Sequence, residues 1–196
     1  MDGRIEKPGN SSIIVIDDFL QDTKALRSIS NSPFWRDPAY YWHLMTGLDN
    51  GIGSYIVSRI VEQQDLLNAW PFEKALGFEY WPTVLNDDDD ILEVGEDGDI
   101  YSLDLHVDKD ENLARATGEY VYPLFGALIY FLDSEIKGGL LKIWIDDHTY
   151  KMIEPKDNRL IVFDSSKPHG VTAVQKGLRR SIAINFWGHQ PHLEEL

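Results

Sequence analysis

From Tyr80 to Trp187 the chain runs as short stretches rich in Val, Ile, Leu and aromatic residues. Each is cut off by a turn signal: Asn86 to Asp90, Gly95 to Asp99, Lys137-Gly138-Gly139, Asp146-Asp147, Asp157-Asn158 and Lys176-Gly177. Regular spacing of this kind predicts a β-sandwich or barrel. Ahead of it, Ile13-Ile14-Val15-Ile16 reads as a strand buried on both faces and ended by Asp17-Asp18. A helix capped by Asp22 should follow, with Ala25, Leu26 and Ile29 on one face, closing before Pro33. A second, capped by Ser54, carries Ile56, Val57, Ile60, Val61 and Leu67 at helical spacing up to Trp70-Pro71. The expected class is mainly β (α+β), with the N-terminal strand and helices at about 13–70 packed on one sheet of a β core at about 80–188.

At 196 residues, without repeat or linker, the chain should form a single domain spanning 1–196. No stretch approaches the roughly 18 apolar residues of a membrane helix, and the N-terminus lacks a signal-peptide apolar core, so the expectation is a cytoplasmic protein with no membrane contact. The absence of cysteine excludes disulfides, thiolate ligands and a cysteine nucleophile, leaving His, Asp and Glu to hold any metal. A net charge of −15 opposes nucleic acid as a partner. The run Asp87 to Asp90 reads as a solvated loop, because the glycine that a calcium loop needs at its sixth position is missing.

In Ile100 to Asp108, strand alternation places Ser102, Asp104, His106 and Asp108 on one face and Tyr101, Leu103, Leu105 and Val107 on the other. His106-x-Asp108 can offer an imidazole and a carboxylate to one divalent ion, although a polar solvent face would look the same. A second segment changes the balance. The apolar strand Leu160 to Phe163 leads through a small polar turn to His169, and ten residues later Gly177-Leu178-Arg179-Arg180-Ser181 opens another strand. Two histidines and one carboxylate make the facial triad of non-haem Fe(II), with three coordination positions open.

This order of motifs resembles the Fe(II)/2-oxoglutarate-dependent dioxygenases, and among them the prolyl 4-hydroxylase-like group. His106-x-Asp108 is similar to the family's first ligand motif. Gly126 to Asp133 with Gly138 to Trp144 is similar to its hydrophobic strand, turn and "GG" strand. Arg159 to His169 is similar to the distal-ligand segment, and Gly177-x-Arg179-x-Ser181 to the arginine that grips 2-oxoglutarate.

The resemblance implies a double-stranded β-helix (jelly roll), His106, Asp108 and His169 as metal-binding and catalytic residues, and Arg179 and Ser181 as residues for the co-substrate. It also implies Fe(II), 2-oxoglutarate and O2, with hydroxylation of a C–H bond in a protein residue (prolyl-type) or a small molecule and release of succinate and CO2. Many members carry a Tyr nine or ten residues before the first ligand. Here those positions are Glu96 and Asp97, and Tyr101 is the candidate replacement, against a plain barrel-wall reading.

A non-catalytic jelly-roll binding module is the alternative, and a cupin-type isomerase or hydrolase a third that leaves Arg179 without a task. Asp104 is a candidate to orient His106. Arg180 reads as a surface or substrate-side charge, and His43 as a packed histidine in an aromatic cluster that could form a lid. His148 reads as exposed and His189/His192 as an accidental pair. Trp144, Asn185 and Trp187 are candidates to line the cavity. The segments Phe34 to Gly53 and Lys109 to Tyr122 are expected to frame the mouth, and their composition selects neither a substrate nor an oligomeric state.

Overall fold

The computed structural model describes residues 13–36, 39–63, 68, 70–88, 93–95 and 97–192. Glu96, Leu67 and the second half of the Asp87 to Asp90 run lie outside the described residues. The strands are β1 (Ile14–Ile16), β2 (Tyr41–Leu44), β3 (Gly77–Asn86), β4 (Glu93–Val94), β5 (Ile100–His106), β6 (Phe125–Tyr130) and β7 (Lys137–Gly138), then β8 (Leu141–Asp146), β9 (Thr149–Ile153), β10 (Leu160–Phe163), β11 (His169–Thr172), β12 (Val174–Lys176) and β13 (Leu178–Trp187). Helices α1 (Thr23–Ser30), α2 (Ile52–Val61) and α3 (Glu111–Thr117) complete the described elements, with 3-10 turns at Pro33–Arg36 and Phe72–Lys74.

Two antiparallel sheets form the frame. The larger has the order β1-β10-β6-β13-β3-β2 and the smaller β4-β5-β11-β8-β9, with β7 and β12 pairing separately. Non-consecutive neighbours in both sheets are the signature of the expected double-stranded β-helix. The larger sheet is covered on both sides, and β6 is buried at every position. On its outer face Ile29 of α1 and Ile56, Val57 and Ile60 of α2 join Phe78, Tyr80, Phe125, Ile129, Ile182, Ile184 and Phe186 in one core. On its inner face Leu128, Tyr130, Ile161 and Phe163 meet Leu141, Ile143 and Ile153 from the smaller sheet. The N-terminal helices therefore pack on one sheet, as the sequence predicts.

Local details of the N-terminal elements depart from the sequence expectation, and α2 ends at Val61, short of Trp70-Pro71. The Ile13 to Ile16 run is an edge strand, not a doubly buried one: β1 pairs only with β10, and Val15 is 38% exposed. Ser54 does not cap α2, because the helix begins earlier, after Gly51; the Ser54 hydroxyl instead accepts from the Asp49 amide at 3.2 Å. Gly53 sits where a Cβ would enter the Tyr80 ring, so a small residue is what lets α2 lie on β3. The Asp22 cap of α1 is present, its carboxylate accepting from the amides of Lys24 and Ala25.

Candidate metal centre and its pocket

The antiparallel pairing of β11 with β5 sets His169 directly opposite His106, their rings 4.4 Å apart. Asp108 follows two residues after His106, its amide donating to the Ser165 carbonyl at 3.0 Å. Its carboxylate oxygens lie 3.7 Å from His106 Nε2 and 3.6 Å from His169 Nε2. Both imidazoles are fixed from behind: His106 Nδ1 is 2.8 Å from the Asp104 carbonyl and His169 Nδ1 is 2.9 Å from the Lys167 carbonyl. A carbonyl can only accept, so each Nδ1 carries the proton and each Nε2 turns a bare lone pair toward Asp108. Burial lowers the pKa of His169, whose ring packs edge-on against Phe163, and so favours the neutral form that ligates. Two lone pairs and a carboxylate facing one point repel one another unless a cation lies between them. Oxygen and nitrogen donors without thiolate, in a set of three, fit Fe(II) with open positions.

The three residues line a pocket between the sheets that also includes Trp81, Thr83, Leu103, Arg179, Ser181 and Asn185. Arg179 is 0% exposed. Its Nε donates to the Gly139 carbonyl at 3.0 Å, one terminal nitrogen to Ser181 Oγ at 3.0 Å and the other to Tyr130 Oη at 3.2 Å. Gly139, at φ +64, lets this happen: a Cβ there would press on the arginine side chain. No carboxylate among the described residues pairs with this guanidinium. A buried cation held by neutral acceptors calls for an anion, and a dicarboxylate's far end fits.

Strict alternation fails along β5. The register slips between His169/His106 and Val171/Leu103, a bulge that brings Leu103 to the pocket alongside His106 although the two were expected on opposite faces. Tyr101 does not reach the pocket. Its hydroxyl donates to Asp97 at 2.6 Å beside Lys142, whose ammonium also pairs with Asp97 and Asp99. Burial and the Asp97 hydrogen bond push Tyr101 up to about 12. The tyrosine that does meet Arg179 is Tyr130, opposite Ser181 across β6 and β13. In the sequence it stands as the end of a hydrophobic strand, although a lone Tyr in a fully buried apolar strand needs a partner for its hydroxyl.

Asp104 orients His106 through its backbone carbonyl, not its side chain, which accepts from the Leu105 amide. Arg180 is neither a surface nor a substrate-side charge. It lies buried on the opposite face, donating to the Ser30 carbonyl and to Asp133 and stacking over Trp35. His43 stacks on Phe78 as part of edge strand β2, the packed histidine expected. His148 is exposed, as expected. His192 Nδ1 lies 3.0 Å and His189 Nε2 3.9 Å from the buried carboxylate of Asp110, which caps α3, so their pairing is structural and not accidental. Of Trp144, Asn185 and Trp187 only Asn185 lines the pocket; Trp144 packs edge-on against Tyr150 and Trp187 edge-on against His189.

Residues 93–189 match the family model of the 2OG-Fe(II) oxygenase superfamily. Among solved structures, a prolyl-4-hydroxylase from Pseudomonas putida superposes with a TM-score of 0.60 at 14% identity, covering 92% of this chain and 89% of that one. A 2OG-Fe(II) oxygenase family oxidoreductase from Burkholderia pseudomallei gives 0.52 at 11% identity, covering 93% and 87%. IDO from Bacillus thuringiensis gives 0.51 at 13%, covering 89% and 92%. These likenesses establish the shared fold. No curated protein matches the sequence significantly.

Proposed function

The chain belongs to the 2OG-Fe(II) oxygenase superfamily, and from that premise we propose that His106, Asp108 and His169 hold the iron while Arg179, Ser181 and Tyr130 hold the far carboxylate of 2-oxoglutarate. The enzyme is an Fe(II)- and 2-oxoglutarate-dependent dioxygenase. Held there with O2, iron and 2-oxoglutarate would supply an oxidative decarboxylation to succinate and CO2 coupled to hydroxylation of a substrate C–H bond. The protein's own residues supply geometry. Asp108 and the two Nε2 atoms fix one point in space. The Arg179 fork, already oriented by Gly139, fixes a second, so these side chains would hold a dicarboxylate in a defined orientation. The flanking Phe163, Leu128, Leu141 and Val171 exclude water from that bridge.

The observation that carries this reading is the pairing, in one pocket, of two bare imidazole nitrogens facing a carboxylate with a buried guanidinium that lacks a counter-charge. The substrate is a small molecule or a protein residue, a prolyl one included. The net charge of −15 supports this over a nucleic acid. We also read residues 1–196 as one oxygenase domain acting in the cytoplasm. Succinate release in air from Fe(II)-loaded protein tests the assignment. Wild type should turn over 2-oxoglutarate slowly without added substrate, and His106→Ala and Asp108→Ala should abolish that turnover. Retained turnover in either variant overturns the ligand set.

A further inference from the structure

We propose that Glu79, with Tyr40 and Trp81, selects the substrate by binding a cationic group, a primary ammonium or a guanidinium at the end of a side chain of the molecule that is oxidised. The inference deepens the oxygenase reading and rests on it.

Strand β3 carries Glu79, Trp81 and Thr83 at alternate positions, hence on one face, and the Trp81 and Thr83 side chains line the pocket. Glu79 is the next step along that face. Its Oε1 accepts from Asn185 Nδ2 at 3.3 Å, and Asn185 in turn accepts from Ser165 Oγ at 3.1 Å, so the carboxylate is tied into the pocket wall. Glu79 is half-buried, and among the described residues no cation pairs with it. Burial pushes its pKa up, and the Asp108 and Asp110 carboxylates add to that.

Elsewhere in the fold the basic side chains that pack against the interior find a counter-charge. Lys142 is matched by Asp97 and Asp99, Arg180 by Asp133 and Arg159 by Asp17. Apart from Asp108 of the triad, two charges beside the pocket have no counter-charge among the described residues, Arg179 and Glu79, of opposite sign. They cannot neutralise each other, since Glu79 pairs in register with Asn185, six residues along β13 from Arg179. Arg179 takes the anionic end of 2-oxoglutarate. By the same argument, Glu79 takes a cation from the other molecule that must fill the pocket.

The aromatic pair supports the same sign of charge. Tyr40 stacks on Trp81 with ring centroids 4.9 Å apart, yet it remains 69% exposed, and it lies within electrostatic reach of the Glu79 carboxylate, which with burial raises its pKa. Aromatic faces attract ammonium and guanidinium groups and gain nothing from anions.

The experiment measures succinate formation by the Fe(II)-loaded enzyme with matched probes. L-arginine is set against L-citrulline and L-lysine against L-norleucine, which keep the α-ammonium and lose only the side-chain cation that the proposal assigns to Glu79. Blocked tripeptides with a central Arg or Lys separate a peptidyl source from a free amino acid. At least one cationic probe should stimulate turnover tenfold or more above its neutral isostere. Anaerobic calorimetry with Fe(II) and 2-oxoglutarate should show the same preference in binding. Glu79→Gln should bring the ratio near one through KM, and Tyr40→Ala, at an exposed position, should lower it without unfolding. Equal stimulation by the isosteres, stimulation by none of the probes, or an unchanged ratio in folded Glu79→Gln overturns the proposal while wild-type turnover of 2-oxoglutarate keeps the oxygenase reading. An iron-loaded wild type that makes no succinate overturns that reading and this inference with it.

Discussion

Arg179 and Arg180 are neighbours in sequence, and both are buried, on opposite faces of β13. Arg179→Lys keeps the charge and loses the fork. At about 1.5–3 kcal/mol for a hydrogen bond to a charged group, it should raise KM for 2-oxoglutarate roughly tenfold to a hundredfold. Tyr130→Phe removes one neutral hydroxyl, about 1 kcal/mol, and should raise KM roughly fivefold. Arg180→Ala should leave that KM in place and lower the melting temperature, because it unties the Ser30 carbonyl and strips Trp35 of its stacking partner. Steady-state kinetics beside thermal denaturation separates the two arginines. The facial triad and Arg179 were legible in the sequence because ligand chemistry restricts residue types at short spacings. Tyr130, Glu79 and the burial of Arg180 were not, since each depends on which strand or helix lies opposite, and a single strand does not encode its neighbour.

At the scale of elements, the β5 bulge shows where sequence patterning stops. Alternation is a property of a regular ladder, and a one-residue slip returns Leu103 to the side of His106. The same strand carries Tyr101 to the face of the smaller sheet away from the pocket, where it is buried beside Lys142, which anchors the turn through Asp97 and Asp99. Burial alone would raise Asp97, but hydrogen bonds from Lys142 and Tyr101 hold it down at about 2. A depressed carboxylate stabilises the fold above its unfolded pKa and ceases to do so as pH falls through the folded value. Stability should therefore drop as the pH falls from about 3.8 toward about 2. Lys142→Met should flatten that limb in acid titrations followed by circular dichroism. It should also cost on the order of 2 kcal/mol near neutral pH, less than a fully buried pair, since solvent screens Asp99 at 42% side-chain exposure. Gly53→Ala should destabilise by about 1–3 kcal/mol, because the methyl group would push α2 off Tyr80.

Across the whole molecule, the sheets divide the work. The larger is clamped by the helices and carries Arg179 on its inner face, while the smaller presents His106 and His169 from adjacent strands. The alternation of short strands and turns predicted this two-sheet frame, whereas the edge position of β1 and the early start of α2 follow from packing that no local pattern reports. A metal that binds only the folded state raises stability by mass action, about 2.7 kcal/mol at a hundred times its dissociation constant. Chelation should lower the melting temperature of wild type and leave Asp108→Ala unmoved. The central claim, that one pocket holds iron at the triad and 2-oxoglutarate between it and Arg179, is tested most directly by calorimetric titration of 2-oxoglutarate into anaerobic protein, with and without Fe(II), for wild type and Arg179→Ala. Binding that needs both the metal and Arg179 is the predicted result; folded, iron-loaded wild type that binds no 2-oxoglutarate, or an Arg179→Ala variant that binds it equally well, would contradict it.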